Sequence, residues 1–154
     1  MGLFGFGKSK IDKRKKDWIV ESADWCNKGN VLTKLGKNEE AIECYDKAVS
    51  LDSTNWRAWC NKGNVLTKLG KNEEAVECYN QVIRFNSKDS DAWFNRGNSL
   101  ANLKKFEEAI TCFDKVIEKN PEYPSVLRYK GMSLKKLGKG EESEHYFTKD
   151  KKLL

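Results

Sequence analysis

WCNKGNVLTKLGKNEEAIECY, residues Trp25–Tyr45, returns 34 residues later as Trp59–Tyr79 with a single change, Ile42 becoming Val76. A third, looser copy, WFNRGNSLANLKKFEEAITCF, opens at Trp93. A period near 34 residues marks stacked helical hairpins, each burying the face of its neighbour. Within the stretch, Trp25, Gly29, Leu32 and Leu35 fall three and four apart, the spacing of an amphipathic helix. LGKNEE then breaks the pattern. Gly36 suits a left-handed helix end, Asn38 a cap for the next helix, and Glu39 and Glu40 its positive first turn. Ala41, Ile42, Tyr45, Ala48 and Val49 form one stripe of a second helix. The unit reads as helix, turn, helix.

Small residues recur inside the predicted helices. Gly29, Gly63, Gly97 and Gly131 each cost about 1 kcal/mol against Ala in a helix interior, so close packing should compensate. Ala41, Ala75 and Ala109 follow twelve residues after the first three. The expectation is that Gly faces Ala across an antiparallel pair, with Trp25 and Tyr45 wedged into the gaps beside them.

Trp, Gly, Leu, Ala and an aromatic in a 34-residue register resemble the tetratricopeptide repeat. The resemblance implies an all-α fold: an α-solenoid of stacked antiparallel helix pairs wound into a right-handed superhelix. Three full units are expected at 22–55, 56–89 and 90–123. A degenerate capping unit follows at 124–154, where Leu127, Gly131, Leu134 and Phe147 keep the register while Leu127 replaces Trp and Ser143 replaces Ala. Lys28, Lys62, Arg96 and Lys130 stand where the family usually has Leu. Their aliphatic stems are expected to cover that surface while the charges reach water.

The chain has 154 residues, about a third of them charged, and no apolar run long enough to span a bilayer. No signal peptide is legible, and a cytoplasmic location is the default; Phe6 stands where a myristoylation signal at Gly2 would need Ser or Thr. The five cysteines recur because the repeat recurs, none as CxxC, so buried or half-buried thiols are expected and no metal site. Residues 1–21 carry six Lys or Arg against three acids, a net +3; residues 124–154 carry eight against four, a net +4. The N-terminal segment 1–21 is read as a mobile MGLFGFG followed by a helix from near Ser9 or Lys10, Ser9 and Asp12 being spaced as a capping box. Ile11, Lys15 and Trp18 would then share a face over the first repeat. Alternatively, Phe4 and Phe6 with the basic cluster touch a membrane surface weakly.

Catalysis finds no support: His145 is the lone histidine, and no nucleophile elbow, phosphate loop or zinc motif is present. No cofactor, metal or nucleic acid is expected. The leading reading is a scaffold that holds a peptide segment or helix of a partner in the inner groove of the superhelix. The alternatives are a structural module that self-associates through its ends, or weak RNA or membrane-surface association through the basic termini. Groove residues projected from the first helices are Asn30 and Lys34, Asn64 and Lys68, Phe94 and Asn98, and Arg128, with Asn61 and Asn95 in a second row. Asn supplies both donor and acceptor to an extended backbone; equally, these Asn could bond between neighbouring helices, and Phe94 could be plain packing. Some family members grip chaperone C-terminal carboxylates with two Lys, two Asn and an Arg. Here Asn30 and Asn61 match, but Cys26, Asp91 and Asn95 stand where the cations belong. An internal or neutral segment is therefore expected, not a chaperone tail.

Overall fold

The computed structural model describes the backbone of residues 5–123 and 125–151 and the side chains of 12–123 and 125–150. The described helices are α1 (Gly5–Lys34), α2 (Asn38–Leu51), α3 (Trp56–Lys68), α4 (Asn72–Phe85), α5 (Ser90–Asn102), α6 (Phe106–Lys119), α7 (Val126–Lys136) and α8 (Gly140–Lys151). No strand occurs among the described residues. They divide into two compact units, Met1–Val65 and Leu66–Leu154, with the boundary inside α3.

In the first unit α1 and α2 form an antiparallel hairpin, but α1 is 30 residues long where α3 and α5 have 13. The helix starts at Gly5, ahead of the expected Ser9 or Lys10, and runs unbroken into the first repeat. The reason is local: no Gly or Pro interrupts residues 8–28. Ser9 and Asp12 thus lie within the helix and not at its start. Phe4 and Gly2 lie outside the described residues, as do the side chains of Phe6 and Ile11.

At Gly29 the missing Cβ makes room for a ring. A Cβ built at Gly29 would lie 2.6 Å from Cε1 of Tyr45, whose side chain is fully buried. Trp25 is not wedged as expected: half-buried, its ring lies under the ammonium groups of Lys28 at 4.9 Å and Lys47 at 4.4 Å. Buried Ser22 fastens three helices: its hydroxyl donates to the Ala48 carbonyl at 2.8 Å and accepts from Asn55 Nδ2 at 2.9 Å. Asn55 Oδ1 in turn accepts from Ala58 N at 3.1 Å and caps α3.

The turn after α1 closes as a left-handed helix end: Gly36 has φ 77° and Lys37 N donates to Leu32 O at 2.9 Å. Asn38 is not the cap of α2. Lys37 occupies that position without a side-chain bond, and Asn38 Oδ1 is buried with no partner. Glu39 and Glu40 do occupy the first turn.

The second unit repeats this packing in α4–α8. A Cβ at Gly97 would meet Phe113 Cε1 at 2.7 Å and Cys112 Cβ at 3.1 Å, and one at Gly131 would meet Phe147 Cε1 at 2.9 Å. Ser143, in the place of the repeat Ala, donates to Gly131 O at 2.9 Å. Ser143 thus touches the Gly131 backbone, while at Gly29, Gly97 and Gly131 the empty Cβ position receives an aromatic ring. Leu100, Ala109, Cys112, Phe113, Val116, Val126 and Leu127 build the core here. Trp59 and Trp93 anchor the loops before their helices, each indole N–H donating to a carbonyl six residues earlier, Ser53 at 2.9 Å and Ser87 at 3.0 Å.

Three of the cations at the family's Leu position do not simply reach into water. Lys62 Nζ bonds Asp46 Oδ1 at 2.5 Å, and Arg96 Nε bonds Asn80 Oδ1 at 2.8 Å. Lys130 Nζ bonds Asp114 Oδ1 at 2.5 Å and Tyr146 OH at 2.6 Å. Every pair spans 16 residues, from the second helix of one repeat to the first helix of the next. Burial opposes the charge of Lys130, yet the hydrogen bonds and charge of Asp114 and Tyr146 outweigh it and raise its pKa. These polar links join repeats where the family uses Leu.

Candidate functional site

In the first unit, the groove asparagines bond to each other. Asn30 Oδ1 accepts from Tyr45 OH at 2.9 Å and from Asn61 Nδ2 at 2.7 Å, which commits that oxygen to tying α1, α2 and α3. Cys26, which stands at a clamp cation position, is buried, as expected of the thiols; burial pushes its thiol pKa up, against the effects of Asn61 and Arg57. Asn64 Nδ2 lies 4.0 Å from Cys60 Sγ, and Asn64 and Lys34 are exposed.

The second unit carries the open site. The first helices of its last two repeats, α5 and α7, run side by side, and Asn98, Ala101, Asn102, Lys104, Phe106, Tyr129, Met132, Ser133 and Lys136 line a cleft of about 520 Å³ between them. Apolar Phe106, Tyr129 and half-exposed Met132 form its interior surface. The Asn side chains and two lysines supply the polar groups. Tyr129 also borders a smaller hollow with Asp91, Phe94, Tyr123 and Ser125, so the two join along one face. Phe94 packs among Tyr123, Tyr129 and Phe113, with centroids 5.0, 5.1 and 5.9 Å away, and so shapes the wall of this hollow. Tyr123 OH donates to Asp91 Oδ1 at 2.6 Å. Asn95 is half-buried; Arg128 and Lys68 are exposed.

Of the projected site residues, Asn98 lines the larger cleft and Phe94 the smaller. Lys104 and Phe106 escaped sequence reasoning, although Lys104 carried a signal. It occupies the turn position filled by Gly36, Gly70 and Gly138, and it adopts the same left-handed backbone, with φ 61°. For a side chain with a Cβ that conformation costs about 1–2 kcal/mol, and such strain gathers at functional positions. Among the described residues no cluster of His, Cys, Asp or Glu could hold a metal, and no helix is long and apolar enough to cross a membrane. His145 is exposed on α8, edge-on to Tyr146.

Helix pairs in a 34-residue register, with an open face between successive first helices, define a helical-repeat protein. Family models described as TPR repeat and Tetratricopeptide repeat match residues 29–70 and 63–104, and 90–123, respectively. The chain belongs to the tetratricopeptide repeat family. Among solved structures it is similar to MamA, at 20% identity over 99% of this chain and 95% of that one, TM-score 0.83. It is also similar to MamA residues 41–end from Desulfovibrio magneticus RS-1, at 22% identity over 86% and 75%, TM-score 0.82. A third similar structure is the first TPR of Spaghetti (RPAP3) bound to the HSP90 peptide SRMEEVD, at 27% identity over 78% and 95%, TM-score 0.75. No curated protein matches the sequence.

Proposed function

We propose that this chain is a non-catalytic scaffold that holds an extended, internal segment of a partner protein along the face between α5 and α7. The observation that carries the reading is the cleft itself: an apolar strip of Phe106, Tyr129 and Met132, edged by Asn98 and Asn102 and ending at Lys104 and Lys136. An apolar side chain of the segment would sit against Tyr129 and Met132, the Asn amides would bond its backbone, and the lysines would favour an acidic residue beside it. Within the second unit, Lys68, Asn95 and Arg128 are proposed to add to this polar surface; Asn30, Lys34, Asn61 and Asn64 belong to the first unit and are proposed separately as a polar surface of that unit. The similar Spaghetti domain is bound to an HSP90 peptide, which supports a peptide-binding reading of the fold. A chaperone tail remains disfavoured, because Asp91 puts a carboxylate where a clamp needs a cation. Selection from phage-displayed 12-residue peptides tests this. Enriched peptides should lose at least about tenfold affinity on Met132→Glu and on Asn98→Ala, and SRMEEVD should not compete with them. Binding unaffected by either substitution would contradict the placement.

A further inference from the structure

The stretch Trp25–Lys34 in α1 is identical to Trp59–Lys68 in α3, yet the two helices present the same face to different surroundings. On α3 this face is covered: Ala58 is fully buried, Val65 nearly so, and Lys62 bonds Asp46. On α1 the corresponding face is open. Val20, Val31 and Leu35 are 63, 57 and 68% exposed, and Asp17, Asp24 and Lys28 are exposed with them. At 100° per residue these six side chains lie within a single sector of α1. No described residue covers it.

The chemistry of the stripe selects its occupant. A helix like α2, docking as it does on α3, would bury Asp24 at the place of Ala58, Ala92 and Val126, all fully buried, and would leave a carboxylate without a counter-charge. What fits must offer a cation opposite Asp24 and an anion opposite Lys28. The stripe offers both to itself. Its N-terminal half carries Asp17 and Asp24 and its C-terminal half Lys28. Turned antiparallel about residue 26, Asp24 meets Lys28 of the other copy, Lys28 meets Asp24, and Val20 falls one residue out of register with Val31, within reach of it on the same stripe. Such pairing is two-fold and closed. The overlap, residues 18–34, is about 26 Å long at 1.5 Å per residue, and its first turn, residues 18–21, belongs to the extension by which α1 exceeds the other first helices. Stacking end to end on α8 fits less well: Thr148 stands at the register of Asp46 and Asp114, and Glu144 at that of Ile42.

We infer that two copies of this chain associate antiparallel through the Val20–Asp24–Lys28–Val31 stripe of α1, independently of the peptide cleft. Sedimentation velocity over a range of concentrations tests it on the full chain, with circular dichroism melts for each variant. Wild type should show a concentration-dependent dimer. Asp24→Lys alone and Lys28→Asp alone should each weaken it by at least about tenfold through like-charge contacts. Mixing those two variants should restore a heterodimer, because every facing pair is then opposite in charge. A wild type that stays monomeric at hundreds of micromolar would overturn the inference. So would single variants that dimerise as well as wild type, or a mixture that stays monomeric.

Discussion

At residue scale, the glycines inside the helices are explained by what their missing Cβ would strike. Phe113 is fully buried and packs on Phe94 and Tyr129, so its ring has little room to retreat from a methyl group at Gly97. Gly97→Ala should therefore destabilise by about 1–2 kcal/mol despite the better helix propensity of Ala, read as a lower urea midpoint. An unchanged midpoint would show that the ring can move. Lys104 presents the opposite trade. Lys104→Gly should relieve the left-handed backbone and raise stability by about 1 kcal/mol, while peptides selected on the cleft bind more weakly. A gain in stability with binding intact would remove Lys104 from the site. The glycine and aromatic register was legible in the sequence, but their opposition was not: spacing assigns residues to a face without saying which atoms of the facing helix meet them.

At the scale of elements, the inter-repeat links decide how one hairpin holds the next. Lys130 lies between Asp114 and Tyr146, with 11% of its side chain exposed, while Asp114 stays 51% exposed. Lys130→Met should cost about 1–2 kcal/mol at pH 7, a modest value because Asp114 remains hydrated after the loss. The folded pKa of Lys130 lies above its ordinary value of 10.5, so its contribution is whole below that pH and fades as pH rises through the folded value. The stability difference between wild type and Lys130→Met should accordingly hold from pH 7 to 10 and shrink above pH 10.5. A difference that grew with alkalinity would contradict the link. The sequence marked these cations as unusual, since they replace Leu; it hid their partners, which sit 16 residues away on another helix. The N-terminal extension was equally half-visible. Its helical composition showed, whereas its fusion with the first repeat depended on the lack of any breaker. Residues Trp18 and Ile19 face Leu51 and Thr54 across an open cleft. Removing residues 1–21 should leave a helical array whose melting temperature falls by about 2–4 °C for each kcal/mol of lost packing. An unchanged melting temperature would show that the extension adds nothing to the first hairpin.

At the scale of the whole molecule, repetition supplies a surface more than a reaction. Each added hairpin buries the face of another, and the side chains left over between successive first helices become the candidate site. That much followed from the 34-residue period, which places Asn98 on the inner face together with Phe94 and Arg128. Phe106 was missed because it enters the cleft from the register of Asn38 and Asn72, at the turn before the second helix; Tyr129 stands at the register of Asn61 and Asn95, where the polar row changes to an aromatic. The central claim, that a partner segment lies between α5 and α7, is most directly tested by photo-cross-linking in cells. A photoreactive phenylalanine would be placed at Met132 in the cleft or at exposed Glu107 on α6. The account predicts discrete protein adducts at Met132 that disappear with Asn98→Ala, and none of those adducts at Glu107. Equal adducts at both positions, or none at Met132 while Glu107 captures protein, would contradict it.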